Sequence, residues 1–512
     1  GLDDPSATEA RLGEIGFRDP AAAARNLRCL RDGPAASRSS ARRRAALAEL
    51  APALLADIRT SSDPDLALHH MAEFISAVGA RTSFLALLAE NPETLRLLVG
   101  LFGSSRYLSN FFLRHPELLD SLVRADLAMV RKDRAMLDAE LESLLDAAPD
   151  YESELDALRR FRNEEFLRIG VNDIHGLLDF SEVNEQLSML AEACVGAALR
   201  IASRTVRERF GALPGAFAVM GMGKLGGQEL NYNSDLDLIF VYDAPARAEA
   251  PGLSVHEAFT KLAQRLMAVL QLTTREGYVY KIDMRLRPSG AAGPLVSSLD
   301  AYRRYHETSS ALWERQALIR ARGVAGDASL IAEVERVNQR FVYGKGLGDA
   351  EAAEIARLRM RMERELARES PNRWNLKTGR GGIVDVEFVV QMLQLRHGVD
   401  HPSVRERSTE RALAALLDAG LLPGAELRAL HEGYRFLRRL ENSLRIERDQ
   451  PVEALEHEAA PTVARRMGYT GASADAAREL LADFDSARES IRRIYESRFE
   501  RPSRVDTNPP TG

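Results

Sequence analysis

The chain has 512 residues, 45% hydrophobic and 28% charged, with a formal net charge of −6. That is room for about three or four domains of ordinary size; the composition excludes a disordered chain, and the charge offers no electrostatic case for a nucleic-acid partner. With Cys29 and Cys194 as its only cysteines there is no cysteine zinc centre or disulfide framework, and no apolar run approaches the roughly 20 residues that span a bilayer, so a cytoplasmic protein without membrane contact is expected.

The chain starts at Gly1 rather than Met, as expected of a piece of a longer polypeptide. Residues 1–45, rich in Ala, Arg and Ser with weak periodicity, read as a lead segment or linker. Residues 46–212 read as a helical domain of long Ala/Leu/Glu/Arg segments. Within it, Asn91 and His115 stand where helix N-caps belong, with Pro92 and Pro116 at the first helical position. From "LPGAFAVMGMG" the texture changes. Strands are predicted at about 216–222, 236–242 and 278–286, and a helix over "VHEAFTKLAQRLMAVLQL" with Phe259, Leu262, Leu266, Val269 and Leu270 on one face. This α/β unit spans 213–325. Helical texture returns over 326–500, broken by "NLKTGRGGIVDVEF", and 501–512 has the composition of a disordered tail. The expected class is mainly α with a central α/β domain, a small mixed sheet flanked by helices, and helical bundles on both sides.

The stretch "GMGKLGGQELNYNSDLDLIFVYD" (221–243) carries two outlines. Gly221, Gly223 and Gly226 with Asp243 about 20 residues on resemble a dinucleotide-binding turn. That reading needs a helix before the next strand, but only Leu225–Ser234 is available, and Asn231-Tyr232-Asn233-Ser234 is turn chemistry. A P-loop fails because Lys224 is followed by Leu225. The other outline is Asp235-Leu236-Asp237. Positions two apart in a strand share a side, so the two carboxylates project together while Leu236 and Leu238 enter the core. Such a pair repels itself unless protonated or bound to cations, and Mg²⁺ accepts one or two carboxylates plus phosphate oxygens. Asp283 in "YKIDMRLRP" is placed to be the third acid of a two-metal clamp. Arg285 and Arg287 follow it at spacings of two and are suited to a triphosphate. The Gly226-Gly227 turn lets backbone amides approach phosphates, and Ser234 joins this nucleotide-binding set. Lys224 reads equally as a phosphate contact or a solvated loop lysine.

The segments "GMGKLGGQELNYNSDLDLIFVYD", "GYVYKIDMRLRPSGAAGPLV", "WERQALIRAR" and "NLKTGRGGIVDVEFVVQMLQLRH" together resemble the glutamine synthetase adenylyltransferase/adenylyl-removing family, among the polymerase-β-like nucleotidyltransferases. Weaker similarity extends back to about residue 85. The resemblance implies a nucleotidyltransferase in which Asp235, Asp237 and Asp283 hold two Mg²⁺ ions, Gly226 and Gly227 form the phosphate turn, and ATP is the substrate. It further implies glutamine synthetase as the protein that receives AMP on a tyrosine, with PII signal protein and glutamine as effectors. Family members have two similar halves, one adding AMP and one removing it by phosphorolysis. "GGIVDVEF" and "LRPSGAAG" are closer to the adding half, which is therefore expected here. The alternatives are the removing half and a non-catalytic docking module. Trp313 is expected in the core and Glu314 paired with an arginine. Lys377 and Arg380 either hold a substrate or cap a helix start. Asp385 and Glu387 are expected to serve the N-terminal dipole of the helix they open.

Overall fold

The computed structural model describes residues 4–32, 41–78, 82–115, 131–246, 252–448 and 452–500. The expected helix start at Pro116 and the expected tail at 501–512 lie outside them. Helices dominate on both sides of one small sheet. The sheet runs β3-β2-β1-β5, with β4 also on β2. Its strands are β1 (Ala216–Gly221), β2 (Leu236–Asp243), β3 (Ile282–Asp283), β4 (Val296–Ser298) and β5 (Arg322–Gly326). β1 is antiparallel to β2 and to β5, and β2 is parallel to β3 and β4. The sheet is thus mixed, as expected. A dinucleotide-binding unit requires parallel strands joined by a full helix. Here β1 and β2 are antiparallel, and the helix between them is the four-residue Gly223–Gly226, which removes that reading.

Both faces of the sheet are buried, each in its own core. Phe217 and Val219 of β1, with Leu236, Leu238, Phe240 and Tyr242 of β2, join the N-terminal helices and the helix Val255–Gln271. Ala218 and Met220, with Ile239 and Val241, join the C-terminal bundle. The period of two in strand side chains makes this division, and it puts Asp237 on the face of Ile239 and Val241. The helix Val255–Gln271 starts at a Ser254/Glu257 capping box and buries all five residues expected on its apolar face.

Four expectations change. The lead segment is helical: Pro5–Ile15 and Pro20–Asp32 each start on a proline, and Leu12, Phe17, Ala23, Ala24 and Leu30 enter the N-terminal core. Asn91 does occupy an N-cap position, yet its amide donates to the Leu87 carbonyl of the preceding helix instead of capping; His115 is the C-cap of Arg106–Arg114. The strand expected over 278–286 shrinks to Ile282–Asp283, because the Val279 and Tyr280 amides donate to the Leu270 carbonyl and the Arg287 amide turns back to Met284. The α/β unit also passes 325: β5 ends at Gly326, and the Asp327 amide bonds the Phe217 carbonyl of β1 before the helix Ala328–Tyr343 packs on the sheet.

Candidate active site

The three acids come together at one end of the sheet. Asp237 and Asp283 are register partners on the parallel strands β2 and β3. Asp235 precedes β2 by one residue and is exposed. Burial pushes the Asp237 carboxyl up to about 6, helped by the charges of Asp283 and Asp235 and opposed by Lys377 and Arg285. Asp283 is held below its ordinary range by Arg285, whose amide reaches Oδ1 at 2.8 Å and whose Nε reaches Oδ2 at 2.7 Å. Arg285 itself is 82% exposed.

The turn after β1 is shaped to Asp237. The Met222 amide donates to the Asp237 carbonyl at 2.8 Å. Gly223 then takes φ +53°, and a Cβ there would stand 2.6 Å from Asp237 Oδ2. Both facts demand glycine. Gly226 and Gly227, expected to present amides to phosphate, spend them on the Met222 and Gly223 carbonyls. Gly226 is glycine for packing, since its Cβ would lie 1.9 Å from the Arg320 carbonyl oxygen. The amides left without an intrahelical partner are those of the first turn, at Gly223, Lys224 and Leu225.

Other expected nucleotide contacts are employed elsewhere. Lys224 is not a solvated loop lysine: its Nζ lies 2.9 Å from Glu441 Oε1. Arg287 donates to the carbonyls of Met284, Ala291, Gly293 and Pro294, tying up the 284–294 loop, while its charge helps to lower the Asp283 carboxyl. The strand that would have aligned it with Asp283 ends at Asp283 itself. Ser234 Oγ accepts from the Asn231 amide and from Arg445, each at 3.3 Å, and so holds the loop that delivers Asp235.

Two buried carboxylates of the kind no motif marks hold this loop to the C-terminal bundle. Glu441, on the helix Gly424–Arg448, meets Lys224, Asn231, Arg438 and Arg445 at 2.7–2.9 Å. Burial alone would raise its carboxyl, but Lys224, Arg445 and Arg438 outweigh that and hold it well below the usual range. Glu229 accepts from Ser408 and Tyr434 at 3.1 and 3.2 Å and lies 3.4 Å from Arg320. Of the basic pair considered beside the Gly-rich break, Lys377 is near enough to Asp237 to lower its pKa, whereas Arg380 pairs with Glu496 at 3.3 Å.

Three bland expectations also change. Trp313 is 41% exposed, not core. Glu314 accepts from the Tyr305 hydroxyl and the Ala311 amide, not from an arginine. Asp385 is fully buried against Arg359 and within 3.4 Å of Arg492, and it accepts from the Gly381 amide; Glu387 pairs with Arg320 at 3.1 Å. Both tie the helix Ile383–His397 to other elements, so they do more than face its dipole.

The donor set is three carboxylates, oxygen ligands only, which suits a hard cation such as Mg²⁺. The elevated Asp237 carboxyl fits as well, because a cation relieves the charge that burial and Asp283 make costly.

Residues 95–337 match a family profile described as glutamate-ammonia ligase adenylyltransferase, and residues 351–499 match one described as GlnD PII-uridylyltransferase. The chain is similar to proteins named bifunctional glutamine synthetase adenylyltransferase/adenylyl-removing enzyme. That of Chromobacterium violaceum is 37% identical over 450 residues, covering 88% of this chain and 49% of the relative. That of Thioalkalivibrio sulfidiphilus is 36% identical over 466 residues, covering 88% and 48%. That of Pseudomonas aeruginosa is 35% identical over 482 residues, covering 89% and 49%. The chain spans about half the length of the curated relatives it matches. No helix among the described residues is long and apolar enough to cross a membrane.

Proposed function

Since the chain belongs to the glutamine synthetase adenylyltransferase/adenylyl-removing family, we propose that it transfers AMP from ATP to a tyrosine of glutamine synthetase and releases pyrophosphate. The observation that carries this reading is the register pairing of Asp237 with Asp283, with Asp235 two residues before Asp237. A docking module would have no use for three carboxylates gathered at the cost visible in Asp237.

Asp235, Asp237 and Asp283 are the residues that would hold Mg²⁺, whose chemistry when bound is to neutralise triphosphate charge and acidify the attacking hydroxyl. The chain's own groups position the reactants. Gly223 leaves room against Asp237 for a phosphate to approach, and the first-turn amides at Gly223 and Lys224 donate to it. Arg285, exposed and tethered through Asp283, swings from that carboxylate to the phosphates as nucleotide binds. Lys377 adds positive charge on the same side. The tyrosine oxygen then bonds to the α-phosphorus as the bond to the β-phosphate oxygen breaks, with positioning and charge supplying the rate. Buried Glu441 and Glu229 keep the loop rigid. The match of 351–499 to a PII-uridylyltransferase profile supports PII protein as an effector, and glutamine is proposed beside it.

The test is intact-mass spectrometry of glutamine synthetase incubated with this chain, ATP and Mg²⁺. A gain of one AMP without added phosphate is expected. Phosphate-dependent release of ADP from adenylylated glutamine synthetase, with no transfer from ATP, would instead assign the chain to the removing half.

A further inference from the structure

The helix Gly424–Arg448 works on two faces. Arg438, Glu441 and Arg445, at helical spacings of three and four, grip the β1–β2 loop that carries Asp235. Successive helical residues turn by about 100°, and the neighbouring stripe of Arg435, Arg439, Asn442 and Ser443 lines a separate cavity of about 680 Å³. Arg465 and Arg466 of the helix Ala460–Arg466 complete its basic wall. Among the described residues, four arginines thus face a space whose only carboxylates are Asp173 and Asp179.

These groups are not all used by the fold. Arg435 lies near Glu410 and Asp179, at 3.7 and 3.9 Å, and Arg466 donates to the Ser443 carbonyl. Arg439 and Arg465 make no hydrogen bond or ion pair with another described residue. Asn442 is only 7% exposed, and its Oδ1 is buried without a partner; Ser443 Oγ is likewise unpartnered. Buried polar atoms of this kind are normally satisfied by something. Arginine forks match phosphate or carboxylate oxygens, while an orphaned amide oxygen wants a hydroxyl donor.

The cavity is one hydrogen bond from the catalytic loop. Asp173 lines it and accepts from the Tyr232 hydroxyl at 2.8 Å. Tyr232 is fully buried, stands three residues before Asp235, and gives its carbonyl to Arg445. Burial pushes Asp173 up to about 6, against the Tyr232 hydrogen bond and the charge of Arg439, so charge arriving in the cavity acts on a carboxyl that is already poised.

We propose that this cavity is a regulatory site for a small hydroxylated oxyanion, a phosphate or carboxylate held by Arg439 and Arg465, and that the Asp173–Tyr232 bond and the shared helix transmit its occupancy to Asp235 and Asp237. The transmission gains its meaning from the reading of those acids as the AMP-transfer site, but neither measurement below depends on turnover.

Binding of glycerol 3-phosphate, glycerate and neutral glycerol is measured by calorimetry on the chain without divalent cations, so that the three acids offer no anion site. One of the two anions is expected to bind and glycerol not to; which anion binds tells phosphate from carboxylate recognition. Arg439→Gln with Arg465→Gln should weaken binding about ten-fold or more, and because both side chains are exposed the fold is not at stake. Amide hydrogen exchange across 230–236 should slow on binding. In Tyr232→Phe binding should persist while that slowing is lost. Failure of both anions to bind, or undiminished binding in the double variant, overturns the site. Binding that leaves exchange at 230–236 unchanged overturns the transmission.

Discussion

Asp237 on β2 and Asp283 on β3 are cross-strand register partners, so two carboxylates from segments more than forty residues apart are fastened to adjacent backbones by the sheet itself. The charge between them cannot relax by moving apart. It adds to burial, the larger cause, in raising the Asp237 carboxyl to about 6.

That elevation sets a pH dependence for the metal-free chain. The unfolded value of an aspartate is roughly 4. A group whose folded pKa is raised contributes stability that is present below the unfolded value and lost as pH rises through the folded one. Asp237 therefore makes the metal-free protein progressively less stable as pH rises from about 4 to about 6, and above that by at most about 3 kcal/mol at 1.36 kcal/mol per unit. Asp237→Asn should be the more stable protein at pH 7.5 without metal, with the difference closing near pH 4. Thermal melts across that range check it.

Added Mg²⁺ should reverse the order at pH 7.5, raising the melting temperature of the wild type and not of Asp237→Asn. The same variant, and Asp235→Asn, should lose AMP transfer by about 1000-fold or more, since each removes charge from the reacting centre. Near-normal turnover in either would refute the site.

Gly223→Ala places a methyl 2.6 Å from Asp237 Oδ2 at φ +53°. Strain of this kind costs about 1–3 kcal/mol, and the displaced carboxylate should raise the Mg²⁺ concentration needed for half-maximal transfer. Gly290→Ala, also at positive φ but with only the Arg285 carbonyl near, at 3.5 Å, should show the strain without the metal effect.

Arg285 and Arg287 should separate cleanly. Arg285→Ala removes an exposed side chain that bonds Asp283, so stability should barely change while KM for ATP rises or kcat falls, by about 2 kcal/mol in kcat/KM. Arg287→Ala releases four loop carbonyls, so the melting temperature should fall and proteolysis within 284–294 should speed up.

Glu441→Ala leaves Lys224, Arg438 and Arg445 facing one another in a buried site, which should cost about 3–5 kcal/mol. A second change, Lys224→Met, removes one of the three charges and should recover part of that loss. If the double variant melts no higher than Glu441→Ala, the cluster is not held by charge balance.

Local pattern carried much of this site. Two acids at a strand's period of two, a capping box before an amphipathic helix and an acid followed by arginines are each written within a few residues, because period and cap chemistry depend on neighbours in the chain. From them follow the choice of Asp237 and Asp283, which the sheet sets in register, and the buried face of Val255–Gln271. Decisions made across the chain left no such mark. β3 stops after two residues because the amides ahead of it are taken by Leu270, at the end of another helix. Lys224 is buried because Glu441, 217 residues later, meets it. In "RRLENSLRIER" that glutamate looks like any charge on an amphipathic helix, and its burial among three cations exists only once the C-terminal bundle has closed over the β1–β2 loop. The glycine that touches the acids is Gly223 rather than Gly226 or Gly227, and only the fold distinguishes a glycine needed beside a carboxylate from one needed beneath a neighbouring turn.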